Sequence, residues 1–164
     1  VLVVDTTILC VWLCVPGRET CGPENDHWDY ARVTGVINGA VAAGSTLVLP
    51  LATLIETGNH IANGSDRFKK AQDLAKVIRL TADAKAPWAA FTDQGVLWER
   101  DALRRLAERW PALAAEKLSI GDATIADVAE YYARMGYAVE ILTGDKGLQA
   151  HQPAAPLQKP RRKS

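Results

Sequence analysis

IGDATIADVAEYYARMGYAVEILTGDKGL, residues Ile120–Leu148, predicts a helix, a glycine turn, a short strand and an acidic loop in succession. At about 100° per residue, Ile125, Ala126, Ala129 and Ala133 all fall within roughly 60° of Asp122. That sets a carboxylate on the stripe a helix turns toward a sheet. Gly136 is placed to end the helix, and Ala138–Leu142 then forms an apolar strand running into Thr143-Gly144-Asp145. An unpaired carboxylate on a buried stripe is costly or takes up a proton. Asp122 therefore either answers the helix dipole from the first turn or belongs to a site, and spacing alone favours neither.

The opposite end of the chain repeats the theme. Val1–Val4 is a continuous β-branched and apolar run ending in Asp5, the pattern of a strand buried on both faces. Thr6 and Thr7 are placed to cap a helix from Ile8 to Val15, which Pro16-Gly17 stops. Residues 17–29 are polar, contain Gly22-Pro23 and read as a loop. A helix from Tyr30 to Ala43 and a strand from Thr46 to Leu49 follow. Pro50 suits the first position of a helix over Leu51–Asn63 that Gly64 closes. Asp66 opens a helix whose stripe is Phe68, Ala71, Leu74, Ala75 and Ile78, fading before Pro87. A further helix is expected from Asp93 to Trp110, broken at Pro111. Strands separated by helices predict an α/β layered fold with a mainly parallel sheet. Right-handed crossovers align the carboxyl ends of the strands along one edge, where such sheets bind ligands. Asp5 and Asp145 both fall there.

The chain's 164 residues suffice for one domain and are too few for two ordinary ones. No apolar run approaches the roughly 18 residues needed to cross a bilayer. The N-terminus has no basic region of the secretory kind, so nothing suggests export. Because a strand begins at Val1, an initiator or short leader is expected to be missing. Three cysteines without repeated spacing argue against a disulfide scaffold and for a reduced, cytoplasmic chain. With 19 basic and 19 acidic residues the net charge is zero, so any nucleic-acid binding must come from local patches. The domain is expected over residues 1–150. Residues 151–164, with Pro153, Pro156, Pro160, Arg161, Arg162 and Lys163, read as a basic, disordered tail.

Each candidate has an ordinary alternative. Asp5 could be a strand-end cap and Asp145 a turn residue. Glu56 lies off the Leu51, Leu54, Ile55 and Gly58 stripe, so helix pattern alone makes it exposed. Asp127 falls about 140° from Asp122, beside Glu130 and Arg134, and reads as solvated surface. Cys10, Cys14, Cys21 and His27 lack the tight pairing of a zinc site, and the three cysteines read as small buried thiols. Trp98 and Trp110 are expected to pack helices, whereas Trp28, in a polar loop, is the candidate for stacking on a base or meeting a partner. Arg67, Lys69, Lys70, Arg104 and Arg105 are solvated by default and would contact phosphates if RNA binds.

Taken together, VVDTTIL (Val3–Leu9), PLATLIETG (Pro50–Gly58) and the Ile120–Leu148 stretch resemble, in order and spacing, the PIN-domain ribonuclease family of the toxin type. The resemblance spans Val1–Ala150. It implies a three-layer α/β/α fold and a metal-dependent endoribonuclease whose catalytic and metal-site residues are Asp5, Glu56, Asp122 and Asp145. Asp5 and Asp145 would be direct ligands, Glu56 and Asp122 would act through water, and the hydroxyls of Thr6 and Thr143 would orient a water or a phosphate. Carboxylates gathered at one edge repel unless a cation offsets them, and an all-oxygen set favours Mg²⁺ or Mn²⁺ over zinc. Such an ion activates water and stabilises charge on the phosphoryl group. The implied partners are an RNA substrate and, for a toxin, an antitoxin protein, with no membrane and a homodimer left open. Two features depart from the family pattern: Asp127, where a small or apolar residue is usual, and the long 17–29 loop. A non-catalytic PIN-like module that binds RNA or protein is the alternative. A haloacid-dehalogenase-type phosphatase would need an acid two residues after Asp5, where Thr7 stands.

Overall fold

The computed structural model describes residues 1–155. The basic end of the expected tail, Arg161 to Lys163, lies outside the described residues. Three short parallel strands, β1 (Leu2–Val4), β2 (Leu47–Val48) and β3 (Glu140–Leu142), form one sheet in the order β2-β1-β3. Val3 sits opposite Val48 on one side and Ile141 on the other. Helices take most of the remaining chain: α1 (Thr6–Trp12), α2 (Tyr30–Ala42), α3 (Leu51–Asn63), α4 (Arg67–Ala82), α5 (Arg100–Ala115), α6 (Ile120–Arg134) and the single turn α7 (Lys146–Gln149).

Side chains of a strand alternate between faces, and β1 uses both. Leu2 and Val4 pack with Ile8, Leu9, Val33, Ile37, Leu74 and Val77 of α1, α2 and α4. Val3 points the other way, into Ile125, Val128 and Ala129 of α6. Helices therefore cover both faces, which is why the strand reads as an unbroken apolar run. Neither sheet edge is left bare, as an unpaired edge would invite association. Outside β2, the Leu47 N–H donates to the Pro87 carbonyl and the Ala89 N–H to the Leu47 carbonyl. Outside β3, Gln152 copies a strand partner: its amide accepts from the Ile141 N–H at 2.8 Å and donates to the Ile141 carbonyl at 2.7 Å. Gln152, expected to begin the disordered tail, is thus docked on the sheet.

Several sequence expectations need correction. The cap of α1 is Asp5 itself, whose side chain accepts from the Thr6 and Thr7 N–H groups. The expected single helix from Asp93 to Trp110 is a 3₁₀ stretch, Phe91–Trp98, followed by α5. Glu99 between them is extended, with φ −74° and ψ 162°, so the helical ladder cannot run through. Pro111 does not break α5 but lies inside it. On α4 the buried positions are Leu74, Val77 and Thr81, and Phe68, placed on the inward stripe, is 79% exposed.

The stripe of α3 is likewise displaced. Ile55 is exposed, and the buried line is Thr53, Thr57 and Ile61. Threonines serve as core residues here because their hydroxyls find partners. Thr53 donates to the Val4 carbonyl at 2.9 Å, and Thr57 lies 3.9 Å from the Cys10 sulfur. This rotation of α3 brings Glu56, between the two threonines, to the half-buried side of the helix. Thr53→Val keeps the shape and deletes the bond to Val4, so stability should fall by about 1–2 kcal/mol. Urea denaturation measures it, and an unchanged midpoint would show that the bond contributes nothing.

Candidate functional site

Asp5 follows β1 directly, at the carboxyl end of the central strand, and is 2% exposed. Its Oδ1 accepts from the Thr6 N–H at 2.5 Å. Its Oδ2 accepts from the Thr7 hydroxyl at 2.7 Å and the Thr143 hydroxyl at 2.8 Å. Burial pushes the Asp5 pKa above the ordinary carboxylate range, the bonds from Thr7, Thr143 and Thr6 oppose this, and the nearby charge of Asp122 adds to the rise. No basic side chain pairs with Asp5 among the described residues. A carboxylate is thus held almost dry by hydroxyls and amides alone.

Two further acids close on it from separate helices. The Thr6 hydroxyl donates to Glu56 Oε2 at 2.8 Å, so Asp5 and Glu56 are tied to the same residue. The other oxygen of Glu56 rests against Gly121, in the space a β-carbon there would occupy. Asp122, the next residue, sits in the first turn of α6. Its N–H donates to Ser119 Oγ at 3.0 Å, and the Ser119 hydroxyl donates back to Asp122 Oδ2 at 2.7 Å. Helices α3 and α6 thus meet at a glycine, and the glycine is what lets Glu56 stand beside Asp122.

Asp145 joins the group through its backbone. Its N–H donates to Thr143 Oγ1 at 2.9 Å, and Thr143 in turn donates to Asp5. The Asp145 side chain turns to cap α7, its Oδ1 accepting from the Gly147 and Leu148 N–H groups at 2.6 and 3.1 Å. Of the four acids expected to share a metal, three gather around Thr6 and Gly121, and the carboxylate of the fourth faces its own helix. Among the described residues no three acidic, histidine or cysteine side chains stand close enough to hold one ion. The physical reason is local closure, since Ser119 and the α7 amides satisfy oxygens that a cation would otherwise claim. The donor chemistry still suits a hard ion: every donor is oxygen, and none of the four acids forms an ion pair among the described residues.

No family model matches the chain, and no curated protein or solved structure does.

The structure also adds site residues that sequence reading passed over. Thr7 was taken only as a helix cap, yet its hydroxyl bonds Asp5 and accepts from the Gly144 N–H at 3.3 Å. Ser119 was legible, since Ser three positions before Asp122 is a helix-start pattern. His60, one turn beyond Glu56, had no signal of its own. Burial lowers its pKa, Arg18 lowers it further, and the Glu56 charge opposes both. Cys21 had none either. It lies against Gly144, where a β-carbon would come within 2.6 Å of its sulfur, and its pKa is raised chiefly by burial. The 17–29 loop thereby reaches the site through this cysteine, while Cys10, Cys14 and Cys21 are all free thiols.

Other expectations change. Trp28 is not presented for base stacking. It is 8% exposed within the first core, its strand-like bridge to Cys21 folds the loop back, and the Arg32 guanidinium lies 3.8 Å over its ring. Asp127 is not fully solvated: its side chain is 29% exposed and paired with Arg109. Burial raises its pKa, and Arg109 is the strongest opposing charge. Trp110 packs with Leu106, Leu118 and Ala123 as expected, whereas Trp98 is 36% exposed. Among the described residues no helix is long and apolar enough to cross a membrane.

Proposed function

We propose that this chain is a metal-dependent endoribonuclease with a PIN-like three-layer fold, acting on RNA phosphodiester bonds at the Asp5, Glu56, Asp122 and Asp145 site. One observation carries the reading: a nearly dry Asp5 at the carboxyl end of the central strand, with Asp122 adding like charge and, among the described residues, no basic side chain offsetting it. Burying an unpaired carboxylate beside another is unfavourable, and a divalent cation relieves the strain. When bound, Mg²⁺ or Mn²⁺ supplies a Lewis acid for the phosphoryl oxygen and lowers the pKa of water.

The chain's own residues supply position. Thr6 holds Glu56, Thr7 and Thr143 hold Asp5, and Ser119 holds Asp122. Asp145 is placed at the rim through the Thr143 hydroxyl. The network fixes the acids to within hydrogen-bond tolerance, which a site acting on a phosphodiester requires. A cytoplasmic setting suits three free thiols. A toxin held in check by an antitoxin protein is the biological role that follows, and growth arrest on expression without such a partner tests it.

A specific observation favours a second reading, a non-catalytic module that binds RNA or protein. Each acid already has a structural partner, and no three of them surround one point. Asp145→Asn separates the two readings. Asn caps a helix about as well as Asp, so α7 survives while the charge is lost. The nuclease reading expects Mn²⁺-dependent cleavage of an RNA panel by wild type and its loss, by about two orders of magnitude or more, in the variant. No cleavage by wild type would favour the binding module, whereas equal cleavage by both proteins would remove Asp145 from the reaction.

A further inference from the structure

A concavity about 520 Å³ in volume, away from the four acids, opens between the 3₁₀ stretch Phe91–Trp98, α5 and α6. Asp127 lines it, about 140° around α6 from Asp122, so it shares a helix with the acid cluster without sharing its side chains. Its size falls within the range of small-molecule sites.

The lining is rich in unspent donors. Arg105, Arg109 and Arg134 all border it. A guanidinium carries five N–H donors. Arg109 directs one amino group to Asp127 and the Ala123 carbonyl, and Arg134 directs its Nε to Glu130 at 3.1 Å. Arg105 forms no ion pair among the described residues. On the acceptor side, Asp127 and Glu130 are engaged by those arginines, Asp101 lies 3.7 Å from Arg104, and Glu99 forms no ion pair among the described residues, so four carboxylates line the cleft beside the three guanidiniums. Three planar cations with most of their hydrogens free match a ligand that offers several oxygens in a compact group, which is what phosphate does.

The remaining wall is apolar. Val96, 47% exposed, and Leu97 come from the 3₁₀ stretch, and the half-buried Tyr131 ring comes from α6. An aromatic ring and an aliphatic wall beside guanidinium donors form the pairing that receives a base together with its phosphate.

We infer that this cleft binds a nucleoside phosphate, either as a free mononucleotide or as one unit of an RNA strand. Arg105 and Arg134 grip the phosphate, and Tyr131 faces the base. The inference does not depend on the nuclease reading, because neither the acid pocket nor a metal takes part.

Isothermal titration of the full chain in metal-free buffer with EDTA tests it, using AMP, adenosine and a single-stranded hexa-adenylate in separate runs. Saturable binding of AMP, weakened about tenfold in Arg105→Gln and in Arg134→Gln, is expected. Adenosine should bind at least tenfold more weakly than AMP. Binding of the oligonucleotide but not AMP, with the same loss in both variants, assigns the site to a strand. Both substitutions fall on the helix surface and leave the Arg109–Asp127 pair in place, and circular dichroism checks the fold. Absence of binding by AMP and oligonucleotide alike, affinity that survives both substitutions, or equal binding of adenosine and AMP would overturn the inference. A protein that fails to cleave RNA yet binds AMP in this way refutes the nuclease reading alone.

Discussion

Asp5→Asn is expected to lower Mn²⁺-dependent RNA cleavage by on the order of a thousandfold, the equivalent of about 4 kcal/mol of transition-state stabilisation. The size follows from its position at the centre of the network, where burial disfavours an unpaired charge. The variant should still fold, for a reason the hydrogen bonds make explicit. Asn can keep its carbonyl toward the Thr6 N–H, leaving its amide to face the hydroxyls of Thr7 and Thr143. Those hydroxyls already accept from the Gly144 and Asp145 N–H groups, and each has a second lone pair to offer. The cost in stability should therefore stay near 1–2 kcal/mol. Single-turnover cleavage of labelled RNA and a circular-dichroism melt, run on the same preparations, give both numbers. Undiminished cleavage by a folded Asp5→Asn would end the assignment of Asp5 to the reaction.

Gly121→Ala should separate position from fold more sharply than any substitution of an acid. The new methyl group would take the space now filled by the Glu56 carboxylate, with the Ser119 oxygen 3.5 Å away. What must move is the end of a flexible side chain, not backbone, so the helix can accept the change. Alanine within a helix is in fact favoured over glycine by roughly 0.5–1 kcal/mol. Stability should thus hold or rise, while the Thr6–Glu56 bond breaks and cleavage falls by about 10- to 100-fold. Equal activity in the variant, with Glu56 demonstrably displaced, would remove Glu56 from the site. Equal activity with Glu56 in place would show that α3 and α6 can part at no cost.

The legibility of the site differed from one acid to the next. Asp5 and Asp122 stood out because each breaks an apolar pattern, one at the end of a β-branched strand and one on an apolar helix stripe. Glu56 did not, since its helix buries threonines where leucine and isoleucine were expected. Thr53 and Thr57 count as polar in any pattern, yet inside the fold their hydroxyls are satisfied, and that turns the helix by enough to bring Glu56 inward. Asp145 was recognisable as a residue but not in its orientation, because the one-turn helix that its side chain caps has no periodicity to read.

By itself the sequence determined what depends on neighbours in the chain: the central strand, the bounds of α3, the glycine that ends α6, and an α/β order with acids after two strands. Periodicity and capping are local, so they survive in a string of letters. Only the tertiary structure decided which faces meet. It packed Trp28 into the core beneath the sheet, paired Asp127 with Arg109, laid Cys21 against Gly144 and fitted Glu56 into the gap left by Gly121. Each of these joins segments whose separation along the chain carries no periodic signal, and each is set by the shape and hydrogen-bonding capacity of a partner that only folding brings near.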